Sequence, residues 1–290
     1  MKKLLLLASV VFATTGFAQK ISNKIGFKKG QKYELVTEMK RNTSSEMMGQ
    51  SMESTVNSTM TESYDIEDVN SNGIVIEYKV KRLTFSANGM GGSQEFDSEK
   101  EDDRKGEIGK ILEKSLKNKY KMTIDPYGKI ISVKADDDNP NPEKNAEQDA
   151  IAGIVSTQLG LNFTVPKEGD ISIFKFLPGR EISSSDTWVD SSNSNGVNRL
   201  TTYKVNSVKG NDVVLDYTEQ VSVNTTQNIM GTDASFKSND KTTGQVILDK
   251  NTGVLKQKTA TIETKGTIEG QGMTVPTSGT TQMTVTVKNS

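Results

Sequence analysis

One stretch of strict alternation constrains this chain more than anything else in it. From Gln50 to Glu67 the even positions read Gln50, Met52, Ser54, Val56, Ser58, Met60, Glu62, Tyr64 and Ile66, while every odd position is polar. A period of two over this length is the pattern of a half-buried β-strand. Upstream, Tyr33, Leu35, Thr37 and Met39 share a face in the same way. Folding the chain back at Met48-Gly49 sets Tyr33 opposite Tyr64, Leu35 opposite Glu62 and Met39 opposite Ser58. Both apolar sets then lie on one side, so a long hairpin with this register is predicted. Its methionines read as flexible filler on the inner face.

Further strands follow. Val69 to Gly73 reads as a turn, and Ile74 to Phe85 as a strand whose face slips near Lys81-Arg82, the mark of a bulge. The period then changes. Ile108, Ile111, Leu112 and Leu116 predict a helix from about 103 to 118. KYKMTIDPYGKIISVKA predicts a hairpin turning at Asp125–Gly128. A second helix is expected after DDDNPNP, capped by Asn141, begun at Pro142 and ended by Gly160, with Ala150, Ile151, Ile154, Val155 and Leu159 as its buried stripe. From Leu161 onward the pattern is strands and turns.

Two segments repeat. TESYDIEDVNSNGIVIEY (Thr61–Tyr78) aligns with RLTTYKVNSVKGNDVVLDY (Arg199–Tyr217), matching Tyr64 with Tyr203, Val69 with Val208 and Tyr78 with Tyr217. Later, TIDPYGKIISVK aligns with ILDKNTGVLKQK, matching Asp125 with Asp249 and Gly128 with Gly253. Tyr33 corresponds to Trp188. Two blocks in the same order imply a duplication. The expected architecture is mainly β: a duplicated antiparallel curved sheet or half-barrel with two central helices, the helices covering one face. The segments are a signal peptide at 1–18, a first β-rich half at 19–135, an acidic linker and second helix at 136–160, and a second half at 161–290. The two halves are expected to form one integrated domain.

The N-terminus carries Lys2 and Lys3, an apolar run from Leu4 to Phe12, and small Gly16 and Ala18 before Gln19, which reads as a cleaved secretory signal. Export to the periplasm is expected, with release outside the cell as the alternative. Loss of Lys2 and Lys3 from 36 basic residues, against 37 acidic, leaves a mildly acidic chain with no bias toward nucleic acid. No later run has the length of a transmembrane anchor. An outer-membrane barrel needs aromatic girdles, and only 6% of residues are aromatic.

The start FKKGQKY, the Ser/Thr/Met-rich hairpin, FDSEK at Phe96–Lys100, MTIDPYGK, and FLPGR before DTW resemble uncharacterised secreted proteins of the Bacteroidota, a family defined only as a domain of unknown function. The resemblance spans nearly all of the mature chain and implies export from a Gram-negative cell, with no activity. A looser likeness, of architecture alone, is to periplasmic lipoprotein carriers. Those curl an antiparallel sheet into an incomplete barrel with helices as a lid over an apolar cavity.

Composition removes whole chemistries. With no histidine and no cysteine, the serine–histidine triads, cysteine nucleophiles and most zinc sites are excluded. NGMGGS lacks the lysine and following helix of a phosphate loop. The one S-x-x-K, Ser238–Lys241, lacks the partner motifs of Ser–Lys enzymes. No enzyme and no cofactor are therefore expected. Copper(I) could draw on Met47, Met48 and Met52, and calcium on the acids at Asp97–Asp103 or Asp136–Glu143. Both acidic runs also precede helices, whose N-termini favour acids without any metal.

Binding without catalysis remains. The candidate ligand face is Tyr33, Leu35, Met39, Met52, Val56, Met60, Tyr64, Ile76 and Tyr78. Small or polar Thr37, Ser54 and Ser58 interrupt it, and Met273, Val275, Thr277, Gly279, Thr281, Met283, Val285 and Val287 continue it on the last strand. One reading is a cavity for a lipid or other hydrophobic ligand. The other is an envelope structural or protein-interaction module whose faces pack on each other. A filled core and a cavity share one binary pattern.

Overall fold

Strict alternation and turn chemistry produce twelve strands, most of them long. In the computed structural model the described residues are 21, 23–47, 49–89, 92–135, 153, 155–156, 159–161, 163–194, 196–229, 232–270 and 272–289. The expected signal peptide and most of the second helix lie outside them. The strands are β1 (Lys32–Met47), β2 (Gln50–Asn70), β3 (Gly73–Gly89), β4 (Gly92–Asp97), β5 (Lys119–Ile124), β6 (Ile130–Ala135), β7 (Thr187–Ser194), β8 (Val197–Lys209), β9 (Asp212–Ile229), β10 (Thr232–Asp249), β11 (Leu255–Gly270) and β12 (Met273–Asn289). They form one antiparallel sheet in the order β6-β5-β3-β2-β1-β12-β11-β10-β9-β8-β7, with β4 also on β3, and the sheet does not close.

The first hairpin has the expected register: Tyr33 faces Tyr64, Leu35 faces Glu62 and Met39 faces Ser58. The bulge falls where the slip placed it, since Thr61 pairs with Arg82 and Glu62 with Val80, leaving Lys81 extra.

The duplication is visible in the hydrogen-bonding pattern. The β2–β3 pair shifts register between Ile66 and Asp68, and β8–β9 shifts at the matching place, between Val205 and Ser207. The β5–β6 and β10–β11 hairpins also share a shift, beside Ile124 and beside Leu248. Each of these turns is tied by one carboxylate. Asp125 Oδ1 accepts from the N–H groups of Tyr127 and Lys129 at 2.8 and 2.9 Å. Asp249 Oδ1 accepts from those of Asn251 and Thr252, both at 3.0 Å. The first repeat thus runs β6-β5-β3-β2-β1 and the second β11-β10-β9-β8-β7, with β12 inserted to join β1 to β11.

A curl of the sheet brings the two repeated turns onto one short segment. Ile25 donates its N–H to Pro126 O at 2.8 Å, and Gly26 donates to Thr252 O at 2.7 Å. Residues 21, 23–27 and 163–186 lie outside the strands, and from them Ile21, Ile25, Phe27, Phe174, Phe176, Leu177 and Ile182 pack with Tyr33, Tyr64, Leu215 and Leu248 in one core. The stretch after Leu161 was expected as strands and turns. Up to Asp186, among the described residues, its β pairing is instead limited to a bridge from Ile171 to Lys129 and another from Ile182 to Ile21. Pro166 and Pro178 remove ladder donors there.

A second, smaller core holds Val56, Met60, Leu83, Phe85 and Phe96 under Leu112, Leu159 and Leu161. The helix predicted near 103–118 is two short ones, α1 (Glu101–Lys105) and α2 (Glu107–Leu116), broken at Gly106. Gly153, Val155 and Ser156 of the second predicted helix have helical backbone, and Gly160 follows with φ +66°.

The outer face is charged. Lys32–Asp65 at 3.4 Å and Lys119–Glu77 at 3.4 Å bridge neighbouring strands, and Lys121–Glu67 at 2.7 Å reaches from β5 across β3 to β2. Such exposed pairs contribute about 0–1 kcal/mol each. Their chemistry suits water, whereas a lipid-facing barrel needs an apolar band on this side.

Gly128 turns at φ +88°, and a Cβ there would sit 2.9 Å from Lys175 Cβ and 3.1 Å from Ile25 Cδ1. Gly128→Val is expected to cost about 2 kcal/mol through backbone strain and this clash. Urea unfolding would show it as a lower midpoint with unchanged slope. A midpoint equal to wild type would remove Gly128 from the turn's requirements.

Candidate functional site

Every second residue of each strand points inward, so cross-strand register defines rows on the inner face. Five of the nine candidate residues, Tyr33, Leu35, Tyr64, Ile76 and Tyr78, lie in the larger core. Val56 and Met60 lie in the smaller one. Met39 is buried beside Gly160, opposite both Ser58 and Met283. Met52 is half-buried and faces Ser45, while Met48 of the copper grouping falls outside the described residues. The structure therefore splits the candidates between an aromatic end filled by the chain's own coil and a methionine-rich middle.

The aromatic end is tightly built. Tyr64 meets Tyr78 edge-on at 5.3 Å and Phe174 at 5.2 Å, and Tyr78 stacks on Tyr120 at 4.5 Å. Ring pairs of this kind add about 0.5–1.5 kcal/mol beyond buried area. Tyr78 donates its hydroxyl to Glu62 at 2.8 Å. Burial raises the Glu62 carboxyl to a pKa of about 7, against the opposing pull of the Tyr78 hydrogen bond.

The middle of the inner face is covered thinly. Helix α2 presents Leu112, fully buried, with Ile108 and Leu116 half-buried, over Val56, Met60, Leu83, Phe85 and Phe96. Leu159 lends its carbonyl to Ser58 Oγ at 3.3 Å.

Charged residues share the inner face, and the sequence reading did not single them out. Arg41 follows Met39 on the inward parity of β1. Its guanidinium pKa is lowered by burial, with Asp240 of β10 opposing the shift. Asp240 Oδ1 is buried without a hydrogen-bond partner among the described residues. Glu219 accepts from Thr201 at 2.9 Å and pairs with Arg199 at 2.6 Å. Lys258 places Nζ 5.1 Å from the Tyr217 ring centre and 5.9 Å from that of Phe176. Burial lowers its pKa, against the nearby Glu219 carboxylate. The available signal was a charge on the apolar parity of a strand, visible at Arg41 and Lys258.

The acids proposed for calcium at Asp97–Asp103 have structural partners here. Asp97 takes Arg82 through two bonds, at 2.8 and 3.2 Å, and Asp103 Oδ2 accepts the Asp97 N–H at 2.8 Å. The run at Asp136–Glu143 lies outside the described residues.

These features define a class: an open, curled, duplicated single-sheet β protein, plugged by its own coil and carrying ionisable groups on its inner face. The chain belongs to the family of unknown function DUF6263, whose sequence model matches residues 71–255. None of the curated proteins matches it. Among solved structures it is similar to an outer membrane channel from Pseudomonas putida F1, at 7% identity and a TM-score of 0.27 over 91% of this chain and 98% of that one. It is also similar to OccK7 of Pseudomonas aeruginosa, at 7% identity and a TM-score of 0.26 over 91% and 100%. Scores this low carry no argument about the chain.

Proposed function

We propose that this chain is an exported, non-catalytic binding protein of the Bacteroidota envelope that carries an apolar chain on the inner face of its sheet. One observation supports the reading above others. The floor of Val56, Met60, Leu83, Phe85 and Phe96 is roofed by a ten-residue helix that buries a single leucine completely. Displacing α2 uncovers an apolar surface without breaking any strand pairing. Met60 on that surface, with Met39 and Met283 further along the inner face, supplies adaptable, polarisable side chains.

Native mass spectrometry of the protein, isolated from its own host without detergent, tests the reading. An added mass matching an acyl lipid is the expected result, and a clean apo mass overturns it. The same spectrum reads the subunit count. The interaction-module alternative draws on the unpaired edge of β7, where Val189 is 56% exposed and Leu200 on β8 is 47% exposed. An apo dimer would favour it.

A further inference from the structure

The two repeats differ in one chemical respect. In the first, the hydroxyls of Tyr78 and Tyr33 both have partners. Tyr78 donates to Glu62 at 2.8 Å, and Tyr33 donates to Gln31 Oε1 at 3.0 Å. In the second, Tyr217 stands where Tyr78 does and Trp188 where Tyr33 does. Both are buried, at 4% and 7% exposure. Neither the Tyr217 hydroxyl nor Trp188 Nε1 has a hydrogen-bond partner among the described residues. For Tyr217 the reason is a substitution between the repeats. The position matching Glu62 holds Thr201, whose hydroxyl is committed to Glu219.

A third donor stands beside them. Lys258 lies against two aromatic rings, and among the described residues it has no ion pair or hydrogen bond. The glutamate nearest in charge, Glu219, is already paired with Arg199. Tyr203 stacks on Trp188 at 5.4 Å and lies 6.0 Å from Tyr217, so the donors lie along one arc of rings. Buried donors left unpaired cost on the order of 1–3 kcal/mol each, and natural chains keep few of them. Buried donors without hydrogen-bond partners point to an occupant that brings oxygen lone pairs and negative charge.

We propose that Lys258 and Tyr217 seat the oxyanion head group of an amphipathic ligand. The inference rests on the apolar-chain reading above and adds a head group to it. Geometry supports the pairing. Phe85, Ser58, Met39, Met283 and Ala260 lie opposite one another on successive strands, and Lys258 is the next inward residue after Ala260. Four strand spacings separate Phe85 from Ala260, about 19 Å along the sheet. That is the reach of a long acyl chain from the floor under α2 to the donor arc. Burial lowers the Lys258 pKa, and a bound anion would raise it.

Trp188 is the single tryptophan, so its emission reports on the arc directly. The chain, stripped of bound lipid, would be titrated at pH 7.5 with palmitate, hexadecyl phosphate and uncharged methyl palmitate, below their aggregation limits. The expected result is saturable change with both anions, the tighter one naming a carboxylate or phosphate head. Lys258→Met should weaken both anions about 30-fold and leave methyl palmitate unchanged, and Tyr217→Phe should weaken them about 5-fold. Thermal melts check folding, and Tyr217→Phe decides if Lys258→Met fails to fold. Equal binding of methyl palmitate and palmitate, or full anion affinity in both variants, would overturn the head-group assignment while sparing the apolar-chain reading. No binding of any of the three would sink both.

Discussion

Glu62→Gln is expected to stabilise the fold by on the order of 3 kcal/mol at pH 8 and to change little at pH 4.5. Glu62 sits on the inward parity of β2, between Leu35 and Val80, and is 9% exposed. The ionisable groups coupled to it are Tyr78, which donates to it, with Tyr64 and Tyr120 beside it. None of them supplies a positive charge. Burial therefore dominates, and the folded carboxyl titrates near pH 7 instead of the usual 4.5. A raised carboxyl pKa means that the native state holds a proton which the unfolded chain has lost. Stability from this group is complete below about pH 4.5 and falls as pH rises toward 7. Glutamine keeps an acceptor for Tyr78 and never ionises. Urea unfolding of both proteins from pH 4.5 to 8 gives the test, read as the difference between them. Parallel curves would mean that water or a cation reaches Glu62.

How far the fold was legible follows from where its information lies. The first hairpin's register was readable because a one-residue slip would have moved Tyr33, Leu35 and Met39 to the solvent side. The bulge at Lys81 and the duplicated turns at Asp125 and Asp249 were readable for similarly local reasons. Strand β4 was missed, since GSQEFD offers one buried residue, Phe96, and no alternation. The helix near 103–118 was drawn whole and two residues late because its apolar stripe begins only at Ile108, beyond the break at Gly106. The inner cover by residues 163–186 was not readable at all. A coil plug has no period, and its contacts with Tyr64 and Leu215 are fixed by the curl of the whole sheet. The candidate inner face was half-legible. Parity identified which residues point inward, but not which of them the plug would cover. Nor did parity show that the repeats diverge at Glu62 and Thr201, a difference that matters only once Tyr78 and Tyr217 are seen as equivalent.

Phe174→Ala is expected to cost about 3–5 kcal/mol, the largest single loss among these variants. Phe174 is 1% exposed, although it comes from coil and not from a strand. Its ring meets Phe27 edge-on at 5.0 Å and Tyr64 at 5.2 Å. It thereby joins three parts of the chain: the N-terminal coil, the first repeat, and the connection into the second. Truncation leaves a cavity that the surrounding strands cannot close, because their spacing is fixed by backbone hydrogen bonds. Ile173→Ala is the matched control. That neighbour is 37% exposed, and its loss is expected to cost under about 1 kcal/mol. Urea unfolding of both variants separates two accounts of the inner coil. A large effect at Phe174 with little at Ile173 makes the coil part of the core, so Tyr33, Tyr64 and Tyr78 are permanently covered and a ligand's apolar chain must take the methionine-rich middle. A loss under about 1 kcal/mol at Phe174 would make the coil a removable cover. Tyr33, Tyr64 and Tyr78 would then return to the set of surfaces that a ligand could reach.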